Sequence, residues 1–161
     1  MKKFKLTSNT KVNAFGVRLF QIECTVETKY AKVGDLGGWI EKEDNLSGNA
    51  WVYGDAQVFG NAQVSGNAQV YGNAQVSGDA RVYGDARVYG NADYCCFQSF
   101  GSAGRTTTAY RQKDGTIKIA CGCFSGNLDE FIAKVKETHG DNQYAREYLA
   151  IVEVIKVKFG L

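Results

Sequence analysis

Residues 46–93 read LSGNAW VYGDAQ VFGNAQ VSGNAQ VYGNAQ VSGDAR VYGDAR VYGNAD, which is one six-residue phrase written eight times. The phrase is Val (Leu in the first copy), variable, Gly, Asn or Asp, Ala, variable, and every copy keeps the glycine and the alanine. A short fixed period is typical of stacked structural units that each pack on their neighbours. The repeat therefore decides the architecture of the middle of the chain, although it contains few groups that could do chemistry.

Each phrase predicts a short strand followed by a tight corner. The valine lies between two variable residues, which favours a strand whose valine points inward while its neighbours point outward. The Gly-Asn or Gly-Asp pair that follows is well suited to positive φ at a corner. The alanine is small enough to point inward beside that corner.

This pattern resembles the hexapeptide-repeat, left-handed parallel β-helix family, in which three such strands form one triangular coil. The resemblance implies a short left-handed β-helix of about three coils, because eight hexapeptides are present. Residues 18 positions apart would then lie above one another. The expected inward column contains Val52, Val70 and Val88, and the expected outward column is a tyrosine ladder of Tyr53, Tyr71 and Tyr89.

Two flanking parts complete the expected organisation, which is mainly β with an α+β C-terminal part. Residues 1–45 contain a strand-like run at 17–28 and are expected to form an N-terminal β cap. Gly34-Asp35 and Gly37-Gly38 are interpreted as turns, and Trp39 with Ile40 as side chains that close the first coil.

Residues 94–161, after the repeat at 46–93, predict a ββαα module. Strand-like runs at 106–111 and 116–121 flank a Lys113-Asp114-Gly115 turn, which is typical of a hairpin. Asn127 and Glu130 have the spacing of a capping box at the start of a first helix. Asp141 is the expected cap of a second helix. The apolar faces of both helices need a partner, and the tyrosine ladder is the nearest candidate.

Two further stretches carry a wider resemblance. GDLGGWIEKEDNLS at 34–47, and GCFSGNLDEF at 122–131 followed by THGDNQYAREYL at 138–149, resemble segments of hexapeptide-repeat proteins found in phages and prophages. The resemblance implies a phage or prophage accessory protein, including one that acts against host defence. Some proteins of this kind carry an acyltransferase label that rests on the repeat alone.

Composition limits the partners and the compartment. A net charge of +2 over 161 residues does not favour a nucleic-acid or membrane surface, and no apolar run is long enough to span a membrane. The opening MKKFKLTSNTKV is not a secretory signal, so we expect a cytoplasmic protein. The five cysteines are an odd number, which favours free thiols in a reducing compartment.

Catalytic and metal chemistry have few candidate residues. Acyltransferases of the resembling family place a general-base histidine on the coil, whereas the single histidine here, His139, lies outside the repeat. Cys121 and Cys123 could share a zinc ion only if one strand continued through both. We prefer to interpret these cysteines as buried structural thiols. We therefore expect no enzyme activity and no cofactor, with an acyltransferase as the alternative.

A ligand site is predicted where a strand runs through a glycine-containing loop into a helix start, because free amides at a helix N-terminus favour anions such as a nucleotide phosphate. Two arginines on or beside the paired strand would add positive charge, and a tyrosine could stack on a base. The predicted residues are Arg105, Tyr110, Arg111, Gly122, Ser125, Gly126 and Asn127.

The tyrosine ladder is the predicted interface. Exposed stacked tyrosines suit a contact with the C-terminal helices, with further copies of the chain in a homo-oligomer such as a trimer, or with a host protein. The expected function is thus a non-catalytic binding or scaffold protein for a host small molecule or protein. A purely structural, self-assembling protein is a further alternative.

Overall fold

The computed structural model describes residues 1–161, which form fourteen strands and two α-helices. The first three strands precede the repeat: β1 (Phe4–Val12), β2 (Arg18–Cys24) and β3 (Leu36–Ile40). Seven two-residue strands follow: β4 (Trp51–Val52), β5 (Gln57–Val58), β6 (Gln63–Val64), β7 (Gln69–Val70), β8 (Gln75–Val76), β9 (Arg81–Val82) and β10 (Arg87–Val88). The C-terminal elements are β11 (Tyr94–Phe100), β12 (Arg105–Arg111), β13 (Ile117–Cys121), β14 (Phe124–Gly126), α1 (Leu128–His139) and α2 (Gln143–Phe159).

The repeat forms a β-solenoid in which each short strand pairs in parallel with the strand 18 residues later. Val52 pairs with Val70 and Val70 with Val88, so the predicted inward column is confirmed. The strands β5 and β6 pair with β8 and β9 in the same way. Every valine and alanine from Val52 to Val88 in this pattern is fully buried, and together they form one continuous core.

The corners stack as closely as the strands. Gly48 has a φ of 71°, and a Cβ added there would lie 3.1 Å from the backbone nitrogen and oxygen of Gly66. The same approach recurs between Gly66 and Gly84. The constant place of glycine in the phrase therefore has two physical reasons, which are the left-handed backbone and the backbone of the next corner.

The N-terminal segment covers the first open end of the solenoid with an antiparallel sheet. The sheet order β1-β2-β3-β5-β8 joins this segment directly to the solenoid ladder. The interpretation of Gly37-Gly38 as a turn was wrong, because both lie inside β3. A Cβ on Gly38 would lie 2.6 Å from Val52 Cγ1, so the pair is needed for close packing.

The two side chains expected to close the first coil behave differently. Ile40 is fully buried and continues the inward column above Val58. Trp39 points outward, where the Lys11 ammonium lies 4.4 Å from its ring centroid. Because consecutive strand residues face opposite sides, only Ile40 closes the coil.

The C-terminal part contains a four-stranded antiparallel sheet, β11-β12-β13-β14, rather than the predicted hairpin alone. Neither β11 nor β14 is predicted from the sequence. The sheet closes the second open end of the solenoid, since Tyr110 and Cys96 belong to the solenoid core whereas Cys95 and Ala109 belong to a second core. The helices pack on the opposite face of this sheet, which gives that second core.

The helix starts were predicted in part. Asn127 caps α1, and Glu130 completes the capping box as expected. The cap of α2 is Asn142 and not Asp141, because the Asn142 side chain accepts the amide of Ala145 at 3.1 Å. No helix of the chain combines the length and apolar character that crossing a membrane requires.

Candidate functional site

A cavity of about 250 Å³ opens between the sheet and the two helices of the C-terminal part. It lies beside the β13–β14 turn and the loop before β12, and its lining is mostly apolar with several polar groups at its rim. The lining residues are Ser102, Ala103, Arg105, Cys121, Cys123, Phe124, Phe131, Lys134, Val135, Thr138, His139 and Tyr148. The cavity thus brings together residues that the sequence suggested for three different roles. These are Arg105 for anion binding, His139 for catalysis, and Cys121 with Cys123 for metal binding.

Aromatic rings form the base of this cavity. The Phe131 ring lies 5.3 Å from the Phe124 ring and meets the Tyr148 ring edge-on at 5.7 Å between centroids. Tyr148 is 5% exposed, and its hydroxyl donates to the carbonyl of Phe100 at 3.4 Å. Burial, together with the neighbouring Cys121, raises the pKa of Tyr148 to about 12. The Tyr148 hydroxyl is therefore neutral at physiological pH and acts as a hydrogen-bonding group.

His139 is the last residue of α1 and stacks on Tyr148, with 5.7 Å between ring centroids and an interplanar angle of 28°. Its ring thus forms one wall of the cavity, and it lies on a helix rather than on a solenoid coil. A general base must reach the hydroxyl that it activates. His139 is therefore placed to contact a molecule in this cavity, whereas the acyltransferase alternative expects the histidine on a solenoid coil.

The two candidate metal ligands lie on either side of a turn. Cys121 is buried and accepts a hydrogen bond from Thr107 Oγ1 at 3.2 Å, whereas Cys123 is exposed. Gly122 between them has a φ of 59°, so the strand does not continue through both cysteines as a shared metal site would need. No group of three or more His, Cys, Asp or Glu side chains is arranged to hold a metal ion.

Arg105 joins the cavity to a second, polar groove. Its guanidinium packs directly over Gly122, where any side chain would collide with it. The groove has a volume of about 410 Å³ and runs along the solenoid past Asn61, Asp79 and Arg81. Arg105 and Ala103 line both spaces, so an apolar cavity and a polar groove meet at one arginine.

The predicted anion site at the start of α1 is occupied by the protein itself. The Asn127 side chain accepts the amide of Glu130 at 2.9 Å, and the Glu130 carboxylate accepts the amide of Asn127 at 2.8 Å. The same carboxylate lies against buried Gly126, while exposed Ser125 pairs with Ala120 in the sheet. Because a carboxylate already fills the position that an anion would take, these residues do not form the expected phosphate cradle.

Two further predicted ligand residues are placed elsewhere. Tyr110 is fully buried against the end of the solenoid, with burial raising its pKa, so it cannot stack on an exposed base. The Arg111 Nε donates to Asp93 at 3.2 Å, and its guanidinium lies over the Phe159 ring. Strand alternation explains the difference: successive residues of β12 face opposite sides of the sheet. Of the predicted set, Arg105 and Gly122 reach the cavity or the groove.

The tyrosine ladder is present on the outside of the solenoid. Tyr53 and Tyr71 stack at 4.4 Å with an interplanar angle of 4°, and Tyr71 and Tyr89 at 4.8 Å with 12°. Burial raises the pKa of both Tyr53 and Tyr71, while Tyr89 is 54% exposed. The C-terminal helices do not cover the ladder, because the sheet β11–β14 already covers their apolar faces.

Several residues of the cavity were not foreseen, namely Phe124, Phe131, Lys134, Thr138 and Tyr148. In the sequence, Phe131 and Tyr148 belong to the apolar faces of the two helices, Lys134 and Thr138 are polar helix residues, and Phe124 lies in the glycine-containing segment before α1. No local signal separates a helix residue that lines a cavity from one that fills a core, since both lie on the face that points to the sheet.

Comparison with known proteins identifies the solenoid. A family model described as YdcK beta solenoid repeat matches residues 56–72, 62–78, 68–81 and 74–90. The overlapping matches fall inside the repeat, so the chain is a β-solenoid repeat protein, and the cavity at the C-terminal helices lies outside the matched residues. The comparison with curated proteins found no match.

Proposed function

We propose that the protein is a non-catalytic binding protein whose C-terminal part holds a small organic anion with a flat ring, such as a nucleotide. The observation that carries this proposal is the position of Arg105, which lines both the apolar cavity and the polar groove. A nucleotide has the same two-part chemistry, with an apolar ring at one end and an anionic group at the other.

The sizes of the two spaces support this ligand class. The apolar cavity of about 250 Å³ has room for a ring system rather than for a whole nucleotide. The groove of about 410 Å³ supplies the remaining space. Taken together, they fall in the range of about 300–1,000 Å³ that is usual for small-molecule sites.

The chemistry of the lining supports the orientation of such a ligand. Phe124 and Phe131 offer apolar rings against which a base can pack, and His139 adds a flat wall. Arg105 forms no ion pair within the protein, so its planar fork of donors is available to an anion. Arg81 in the groove adds a second positive charge.

Isothermal titration of the full-length protein with adenosine monophosphate, adenosine diphosphate and cyclic nucleotides tests this proposal. We expect one nucleotide to bind per chain at Arg105, and Arg105→Gln to weaken binding at this site at least about tenfold, because a hydrogen bond to a charged group contributes about 1.5–3 kcal/mol. Cys123→Trp should also weaken binding, since the larger ring fills the cavity without changing the charge. Arg18→Gln removes an exposed charge that lines neither space and should leave binding unchanged.

Two results would overturn the proposal. One is an absence of binding heat and of any shift in the melting temperature across the nucleotides. The other is binding that Arg105→Gln and Arg18→Gln weaken equally, because this would indicate a general charge effect without a built site.

We also propose that the solenoid is left-handed with about three coils, and that the protein is a homo-oligomeric phage or prophage product of the host cytoplasm that acts against host defence. The hexapeptide pattern at 46–93 and the GDLGGWIE motif support these proposals by resemblance. The exposed ring of Tyr89 supports self-association through the ladder. Native mass spectrometry of protein recovered from cells would give the subunit number, and a monomer would refute the oligomer.

A further inference from the structure

A second cleft of about 330 Å³ lies on the solenoid, and it shares no residue with the cavity or the groove described above. Three distant parts of the chain form it. The N-terminal segment contributes Lys29 and Tyr30, the solenoid contributes Gln69 and Arg87, and the hairpin between β12 and β13 contributes Lys113. No stretch of sequence contains more than a small part of this cleft, which explains why no motif indicated it.

Positive charge dominates the lining. Lys29, Arg87 and Lys113 all face the cleft, and none of the three forms an ion pair with a carboxylate. The contacts of Lys29 and Arg87 are with aromatic side chains, since the Lys29 ammonium lies 4.8 Å from the Tyr30 ring centroid and Arg87 Nη1 donates to the Tyr89 hydroxyl at 3.3 Å. Gathering three unpaired cations costs free energy unless an anion joins them.

One carboxylate belongs to the lining, and the solenoid already holds it in place. Asp85 Oδ1 accepts a hydrogen bond from Asn67 Nδ2 at 3.1 Å. Asp85, at a corner of the solenoid, therefore offsets one of the three positive charges. The lining keeps a net excess of two positive charges.

Gln69 adds a neutral hydrogen-bonding side chain to the cleft. It is 3% exposed and lines the cleft. The ladder neighbours of Gln69 are Trp51 and Arg87, which places its amide beside the arginine.

We propose that this cleft binds the phosphate group of a small molecule. Phosphate oxygens accept several hydrogen bonds at once, and the lining supplies the arginine fork of Arg87, two ammonium groups and the Gln69 amide. The site is independent of the proposed nucleotide site at Arg105, so either can exist without the other.

Isothermal titration of the full-length protein with inorganic pyrophosphate tests the proposal. We expect pyrophosphate to bind at low ionic strength and to bind more weakly as salt is added. Arg87→Gln and Lys113→Gln should each weaken binding at least about tenfold. Asp85→Asn should tighten it, because the substitution removes the opposing charge and keeps an acceptor for Asn67. Lys113 is exposed on a turn, so its variant tests the cleft even if Arg87→Gln perturbs the solenoid.

Controls separate this cleft from other cationic sites. Arg18→Gln should change nothing, whereas equal weakening by Arg18→Gln and Arg87→Gln would overturn the proposal. Loss of binding in Arg81→Gln, with Arg87→Gln unaffected, would also overturn it and would assign the anion to the groove beside Arg105. Absence of pyrophosphate binding at millimolar concentration would overturn the cleft and leave the nucleotide proposal to its own titration.

Discussion

Replacing Asn67 by aspartate should destabilise the solenoid, because Asn67 is the middle link of a hydrogen-bonded column along one corner. Lys3 Nζ donates to Asn49 Oδ1 at 2.6 Å, Asn49 Nδ2 donates to Asn67 Oδ1 at 3.1 Å, and Asn67 Nδ2 donates to Asp85 Oδ1 at 3.1 Å. Each amide both accepts and donates, so the column runs in one direction from an ammonium to a carboxylate. An aspartate fits at the last position because the side chain there accepts a hydrogen bond from the column and donates none.

A second corner has the same order and supports this reasoning. Lys42 Nζ donates to Asn61 Oδ1 at 3.2 Å, and Asn61 Nδ2 donates to Asp79 Oδ1 at 3.1 Å. A lysine again begins the column and an aspartate ends it. This order gives a physical reason why the sequence places no aspartate directly above another in these columns.

The expected cost of Asn67→Asp at pH 7 is about 2–4 kcal/mol. The substitution removes a hydrogen bond to a charged group, which contributes about 1.5–3 kcal/mol. It also places two carboxylates in contact, and such a repulsion is about 1 kcal/mol in water and about 4 kcal/mol at a protein surface. The lysine at the start of the column offsets part of this repulsion.

The cost should depend on pH. Repulsion raises the pKa of the carboxylate pair in the folded variant above the value of about 3.9 in the unfolded chain. The destabilisation is therefore present in full above the raised folded pKa and disappears as the pH falls below about 3.9, since a protonated carboxyl group at position 67 can again donate to the side chain of Asp85. Urea unfolding of wild type and variant between about pH 7 and pH 3 measures this dependence.

The double variant Asn67→Asp with Asp85→Asn is the matched control. It has the same composition and net charge as the wild type, and the new amide at position 85 can donate to the carboxylate at position 67. We expect it to recover most of the lost stability at pH 7. Equal stability of Asn67→Asp and wild type at pH 7, or a cost that does not change with pH, would refute the column.

Two other substitutions test the ends of the solenoid by the same unfolding measurement. Asn45→Asp should lower the free energy of unfolding by about 3–5 kcal/mol at pH 7. The fully buried Asn45 amide donates to the carbonyls of Gly60 and Ala62, and a carboxylate cannot donate. A change under about 1 kcal/mol would contradict this account of Asn45. Gly38→Ala should cost about 1–3 kcal/mol through overpacking, whereas Gly90→Ala, with nothing within 4 Å of the added Cβ, should stay within about 0.5 kcal/mol. Equal costs for the two alanines would refute the close-packing argument.

The sequence was most informative where structure follows from a local period. The 18-residue stacking of Val52, Val70 and Val88 and the ladder of Tyr53, Tyr71 and Tyr89 could be predicted, because each depends on a pattern that repeats every six residues. The capping box at Asn127 could be predicted for a related reason, since both partners lie within one turn of helix.

The flanking strands were harder to predict. β11 begins YCCF, and these four residues are apolar on both faces because Tyr94 and Cys96 pack on the solenoid core while Cys95 and Phe97 pack on the helix core. Such a strand shows no alternation of apolar and polar residues. The sequence alone does not distinguish a glycine that is required for a positive φ from one that is required for close packing. The prediction of a turn at Gly37-Gly38 was wrong for this reason.

The amino-acid sequence by itself determined the solenoid, since a six-residue period specifies which side chains point inward and which groups stack. Only the tertiary structure decided where ligands could bind. The cavity at Arg105 joins strands and helices that are separate in the sequence of the C-terminal part. The cleft at Arg87 lies where the N-terminal segment, the solenoid and the hairpin between β12 and β13 meet. A local sequence pattern specifies contacts between residues that are close in the sequence or at equivalent positions of the repeat. A site of this kind depends instead on contacts between residues at irregular distances along the chain.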